Sequence, residues 1–243
     1  MFAARAFNTE ATAKLDDHNR HTALSYFVAV TLGAAAFLSD LVPGTLGAIL
    51  LTLTSSGFAW GTIALFVGFR QNTWRTAVFW STVTLLIATA VYYALILGLS
   101  ERWRGGATDF SGLPSVGRAV ALWAVASLCA GPLLGTIGWK IRTGTERLSS
   151  ILIAAYFGLC SADGFDGYFL QTSLQDHLND SAVQFVQPGF LTIIFSALAT
   201  SILLRQRRIN AATITFVTSA ALSVSLGILL WRLVSLARGL ASV

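Results

Sequence analysis

The sequence predicts an all-α integral membrane protein, a bundle of about seven transmembrane helices with the N-terminus cytoplasmic and the C-terminus outside. Three observations predict it. Charged residues make up only 11% of the chain and hydrophobic ones 55%, whereas about a quarter of a soluble domain is charged. The apolar residues fall in blocks of roughly 17–25, the length at which a helix crosses about 30 Å of hydrocarbon. Uninterrupted blocks of that kind exclude a β-barrel, whose strands alternate. Finally, Lys and Arg gather at alternate block ends, which fixes an orientation.

Residues 1–22, "MFAARAFNTEATAKLDDHNRHT", are polar, with Arg5, Lys14 and Arg20 balanced by Glu10, Asp16 and Asp17. A secretory signal places unbalanced positive charge directly before its apolar core, so this stretch reads as an interfacial helix or an arm. Residues 23–243 form a single polytopic domain. Its spans are expected near 23–39, 45–69, 76–99, 118–139, 148–170, 188–204 and 210–231. Pro43 and Gly44 in "SDLVPG" make the first reversal. The segments 100–117 and 171–187 are polar enough to be surface loops or short interfacial helices.

With the N-terminus inside, the 16 Lys and Arg side chains divide eleven to five in favour of the cytoplasmic side. The inner set includes Arg70, Arg75, Lys140, Arg142, Arg147, Arg205, Arg207 and Arg208. The outer set is Arg102, Arg104, Arg118, Arg232 and Arg238. The formal net charge of +5 is thereby accounted for by topology, and nucleic acid is excluded as a partner.

Lipid removes the hydrophobic drive between helices, so small residues mark where they touch. Gly131, Gly135 and Gly138 line one surface of the fourth span, where Pro132 invites a kink. Thr192, Ser196 and Thr200 form a stripe on the sixth span, and Thr215, Ser219, Ser223 and Gly227 form one on the seventh. The short connection "LLRQRRIN" makes those two spans antiparallel neighbours, so the stripes are expected to face protein, most simply each other. A hydroxyl-lined ligand path is the alternative reading of the same residues.

Candidate binding residues are few. Asp163 and Asp166, in "GLCSADGFDGYF", sit three residues apart near the outer end of the fifth span and share a helical face. Asp40 ends the first span on the same side, and Asp176, Asp180 and His177 lie in the outer loop beyond. Ionisable groups within a span face a cavity or a partner. Two readings follow: an outward vestibule for a cation, an amine or a proton, or a frayed helix end whose carboxylates meet headgroup water or pair with Arg102, Arg104 or Arg118. Neighbouring carboxylates repel, so a compensating cation or arginine is expected. The run "LTLTSSGFAW" places Thr52, Thr54, Ser55, Ser56 and Gly57 together mid-membrane, as a kink or a ligand-facing patch. Trp74, Trp103, Trp139 and Trp231 lie at span ends and read as interface anchors. Trp60, Trp80 and Trp123 are deeper, with Tyr92, Tyr93 and Tyr156, and suit core packing or an apolar pocket.

The two cysteines and three histidines lack metal-site spacing. No phosphate loop, nucleophile elbow, zinc-protease or dinucleotide motif is present, and no cofactor is indicated. A last-span lysine for a retinal Schiff base is also missing, since the lysines are Lys14 and Lys140.

The runs "LVPGTLGAIL", "GFAWGTIALFVGFR", "ATAVYYALILGL" and "AGPLLGTIGWKIR" resemble a group of small polytopic membrane proteins of unknown function common in actinobacteria, over about residues 25–170. That resemblance implies a helical membrane fold in a bacterial cytoplasmic membrane and no established activity. A looser similarity, to the substrate-binding membrane subunits of vitamin-type importers, departs at the odd seventh span. The function expected is binding or transport of a small molecule, cation or lipid within the bundle, or service as the membrane subunit of a transporter. The alternatives are a membrane-embedded enzyme acting on a lipid-linked substrate through Asp163 and Asp166, and an accessory subunit of a larger complex. The bilayer, a small molecule and partner membrane subunits are the partners these readings name.

Overall fold

The structure, a computed structural model, describes residues 22–100, 112–171, 188–209 and 214–242. The loop candidates Asp176, Asp180 and His177, together with Trp103, Arg102 and Arg104, lie outside the described residues. Those that are described form an all-α bundle with seven helices long and apolar enough to cross a membrane. The helices are α1 (Thr22–Ser39), α2 (Gly44–Thr54), α3 (Gly57–Arg70), α4 (Trp74–Leu99), α5 (Leu113–Thr143), α6 (Glu146–Phe165), α7 (Pro188–Arg207) and α8 (Ile214–Ser242). A π-helical turn, Asp166–Gln171, extends α6. The second span is α2 and α3 together, so the kink expected in "LTLTSSGFAW" is a complete break at Ser55 and Ser56.

A break inside hydrocarbon strands backbone groups that lipid cannot satisfy. Here local side chains take them. Ser56 Oγ accepts from the Ala59 amide at 3.2 Å and donates to the Thr52 carbonyl at 2.5 Å. The Trp60 indole N–H reaches back to the Thr54 carbonyl at 2.9 Å. The sequence "TSSGFAW" thus supplies its own cap for α3 and its own terminator for α2.

The helices fall into two groups around a central pair. α3 and α4 pack on α5, whereas α7 and α8 pack on α6. α1 joins the first group through α4: Tyr26 meets Trp80 edge-on with ring centres 5.5 Å apart, and a Cβ on Gly33 would lie 2.5 Å from the Ala88 carbonyl oxygen. The glycine surface of α5 is the hub of its group. A Cβ on Gly131 would come within 2.5 Å of Thr82 Cα, one on Gly135 within 2.6 Å of the Ala77 carbonyl oxygen, and one on Gly138 into the Leu65 carbonyl of α3. α5 runs unbroken through Pro132 and starts five residues before the expected boundary of 118, because Pro114 in its first turn suits helix initiation. Between the groups, Tyr156 and Thr62 share a hydrogen bond of 2.6 Å within a core that includes Phe58, Leu134, Ile153 and Leu204.

The expected pairing of the two hydroxyl stripes with each other is corrected. Thr192, Ser196 and Thr200 are buried in protein, but α7 and α8 both pack on α6 and make at most marginal contact with one another. Ser223 and Gly227 of α8 lie against Gly158 and Ala162 of α6, whose missing or minimal side chains allow the closer approach. Thr215 and Ser219, further back on α8, are half-buried. Small residues on α6 decide the neighbour here, and a short connecting loop does not.

Candidate functional site

Between the two groups lies a cavity of about 460 Å³. Its floor is the break in the second span, where Ser55, Ser56 and Gly57 are exposed to it, and Leu134 and Cys160 close it towards the core. α4 contributes Thr89, Tyr92 and Tyr93; α5 contributes Trp123 and Ser127; α8 contributes Trp231 and Val234. Ser55, Leu133 and Leu230 line the cavity and are exposed, and the cavity is open to the exterior. Every contributing segment lies towards the membrane face that carries the α1–α2 reversal and the C-terminal end of α8.

Asp40 stands on the cavity wall, half-buried, immediately after α1. Its Oδ2 accepts a hydrogen bond of 2.5 Å from the Tyr92 hydroxyl, 52 residues away in the chain. Tyr93 then meets Tyr92 edge-on, with centres 5.0 Å apart and planes at 87°. The pairing is set by α1 packing on α4, which brings the end of one helix beside the last two turns of the other.

The other two sequence candidates lie elsewhere. Asp163 is exposed and Asp166 is buried, and neither lines the cavity. Asp166 accepts from Arg232 of α8, at 3.1 Å from Nε and 2.8 Å from Nη2. The i, i+3 spacing therefore does not give the two carboxylates one environment. The chain is still α-helical between them, with the Asp166 amide donating to the Ala162 and Asp163 carbonyls; what differs is that Asp166 is buried beneath Arg232 of α8 while Asp163 is exposed. An arginine does compensate a carboxylate here, but it is Arg232, from the far end of the sequence.

The aromatic assignments divide as well. Trp60, Trp123, Tyr92 and Tyr93 line the cavity, while Trp80 packs against Tyr26 and Phe79. Trp74 is exposed and its indole donates to Thr136 at 3.0 Å. Trp231, read as an interface anchor, is instead a cavity wall: its ring lies directly over Gly57, at the N-terminus of α3. Gly57 is the signal that could have found it, since a glycine opening a helix beside a break leaves room for a ring. Among the described residues no group of three or more His, Cys, Asp or Glu comes together as a metal would require.

The chain belongs to a family of unknown function. The match, to DUF6518, covers residues 12–233 and so takes in all of the cavity except Val234. No curated protein and no solved structure matches the chain. The match spans nearly the whole polytopic domain, and it carries no activity with it.

Proposed function

We propose that the protein binds a small molecule in the cavity between its two helix groups, as a carrier or as the membrane subunit of one. The cavity itself carries this reading. Its volume of about 460 Å³ falls in the range of roughly 300–1,000 Å³ typical of ligand sites, and mostly apolar walls with a few convergent polar groups are their usual make-up. A broken helix beside a cavity near mid-membrane supports it, because irregular backbone at that depth is tolerated where it lines a cavity or is buried in protein. A catalytic reading has less support, as the described lining residues offer Asp40 and Cys160 but no histidine or lysine to work with them.

The eleven-to-five division of basic residues supports an N-in, C-out topology in a bacterial cytoplasmic membrane, in keeping with the actinobacterial resemblance. The cavity then occupies the outer half of the bilayer. A reporter fused after Val243 should be active only outside and one inserted within 205–209 only inside; the reverse pattern would move the cavity to the cytoplasmic half.

Binding is tested in lipid nanodiscs with three compounds of similar shape: benzyltrimethylammonium, neopentylbenzene and benzenesulfonate. At least one should shift the thermal unfolding and the tryptophan fluorescence of the native protein. The Ala126→Trp variant, which fills the cavity from α5, should lose that binding at least ten-fold. If none of the three, nor any longer homologue, binds beyond its partition into protein-free nanodiscs, the cavity is not a ligand site.

A further inference from the structure

We infer that the ligand is an organic cation bearing an ammonium group, a conclusion that rests on the cavity being a binding site and names what it takes. Three features of the wall point the same way. The first is the rings: Trp60, Tyr92, Tyr93, Trp123 and Trp231 surround one space. Aliphatic side chains would enclose a neutral apolar ligand as well. Aromatic faces carry negative quadrupole potential and attract a cation, most strongly where water is thinned.

The second feature is the carboxylate. Asp40 is on the wall, and the Tyr92 hydroxyl holds one of its oxygens. The described lining residues include no Lys, Arg or His.

The third is the direction of the hydroxyls. Ser127 donates to the Trp123 carbonyl at 2.8 Å, Thr89 to the Leu85 carbonyl at 2.9 Å and Ser56 to the Thr52 carbonyl at 2.5 Å. Each proton is committed to the helix backbone, so what these side chains turn to the cavity is oxygen lone pairs. Those three oxygens suit an ammonium better than an anion. The positive end of the α3 dipole does not reverse this, because the negative end of α2 abuts it at the same break. A bare metal ion is unsuited, since hard cations ask for a shell of six or more oxygens and most of this wall is apolar.

The test compares benzyltrimethylammonium with neopentylbenzene, which differ by nitrogen in place of carbon, on the full-length protein in nanodiscs. The cation should bind at least ten-fold more tightly. Asp40→Asn and Trp123→Leu should each weaken the cation at least five-fold and leave the neutral compound within two-fold, and Asp40→Glu should restore most of the loss. Asp40→Glu also separates lost recognition from lost folding, which thermal unfolding of each variant checks directly. Equal binding of the two compounds, or full cation affinity in Asp40→Asn, overturns the ammonium and leaves the cavity a neutral site. Loss of all binding by every probe overturns the site as well. The ammonium could belong to a free amine or to a lipid headgroup. Weaker apparent binding in phosphatidylcholine than in a bilayer of neutral glycolipid identifies the headgroup, and equal binding in the two identifies the free compound.

Discussion

The two ends of the bundle are closed by different chemistry. At the end away from the cavity, arginines tie chain reversals together through backbone carbonyls. Arg142, near the end of α5, donates to the Gln71 carbonyl in the α3–α4 turn at 2.5 Å. Arg207, at the end of α7, donates to the carbonyls of Arg142 and Gly144 at 2.9 Å each, and Ser149 adds a hydroxyl bond of 2.9 Å to the Ile141 carbonyl. At the other end no such lattice joins the groups among the described residues. There the two groups face each other across rings, a carboxylate and a broken helix. Charge-assisted bonds to carbonyls fix distances, while aromatic walls leave a space whose shape a ligand can complete.

The largest effect should come from the tied end. Arg207→Met removes two charge-assisted bonds, each contributing about 1.5–3 kcal/mol, and leaves the last carbonyls of α5 without their donors. A loss of about 3 kcal/mol in unfolding free energy is expected, read from thermal or denaturant unfolding in nanodiscs. Binding of benzyltrimethylammonium by the molecules that remain folded should stay within two-fold. If binding collapses in step with stability, the two ends are one cooperative unit and the contrast between them fails.

A smaller effect belongs to the break. Trp60→Phe keeps a ring on the cavity wall but strips the Thr54 carbonyl of its donor, at a cost of about 1 kcal/mol. Stability and binding should both fall, binding by only a few-fold because the ring face remains. No change in either would mean that the ends of α2 and α3 find other partners, and the break would then be slack rather than built.

What could be read from the sequence follows from which forces are local. Seven spans were legible because hydropathy and length decide whether a helix crosses. The glycine surface of α5 was legible because Gly131, Gly135 and Gly138 share one face. Lateral arrangement was not, since lipid and protein are equally apolar surroundings for a helix and no pattern in "LLRQRRIN" says which neighbour its spans choose. That is why α7 and α8 were expected on each other and are found on α6. The site suffered in the same way. Asp40 was singled out for its place at a span end, but its partner Tyr92 is 52 residues distant and the ring of Trp231 comes from the last helix. Asp163 and Asp166 drew attention by their spacing, and α-helix does join them, but which of the two is covered is decided by α8 and its Arg232, 66 residues further along the chain.

The smallest effect separates the aspartates. Asp166 is buried, but Arg232, its partner, has a side chain 54% exposed, and an ion pair screened to that degree contributes about 0–1 kcal/mol. Asp166→Asn keeps an acceptor oxygen in the same place, so the loss of stability should be about 0.5 kcal/mol. Arg232→Met should cost more, because it leaves a buried carboxylate without its guanidinium. Neither change should alter cation binding by more than two-fold, since Asp166 does not line the cavity, whereas Asp40→Asn should weaken it at least five-fold. The pair of measurements asks whether a carboxylate at this end serves the ligand or the helix contact. If Asp166→Asn reduces cation binding as much as Asp40→Asn does, the negative potential is shared across α1, α6 and α8, and the binding space extends past Trp231 to the π-helical turn.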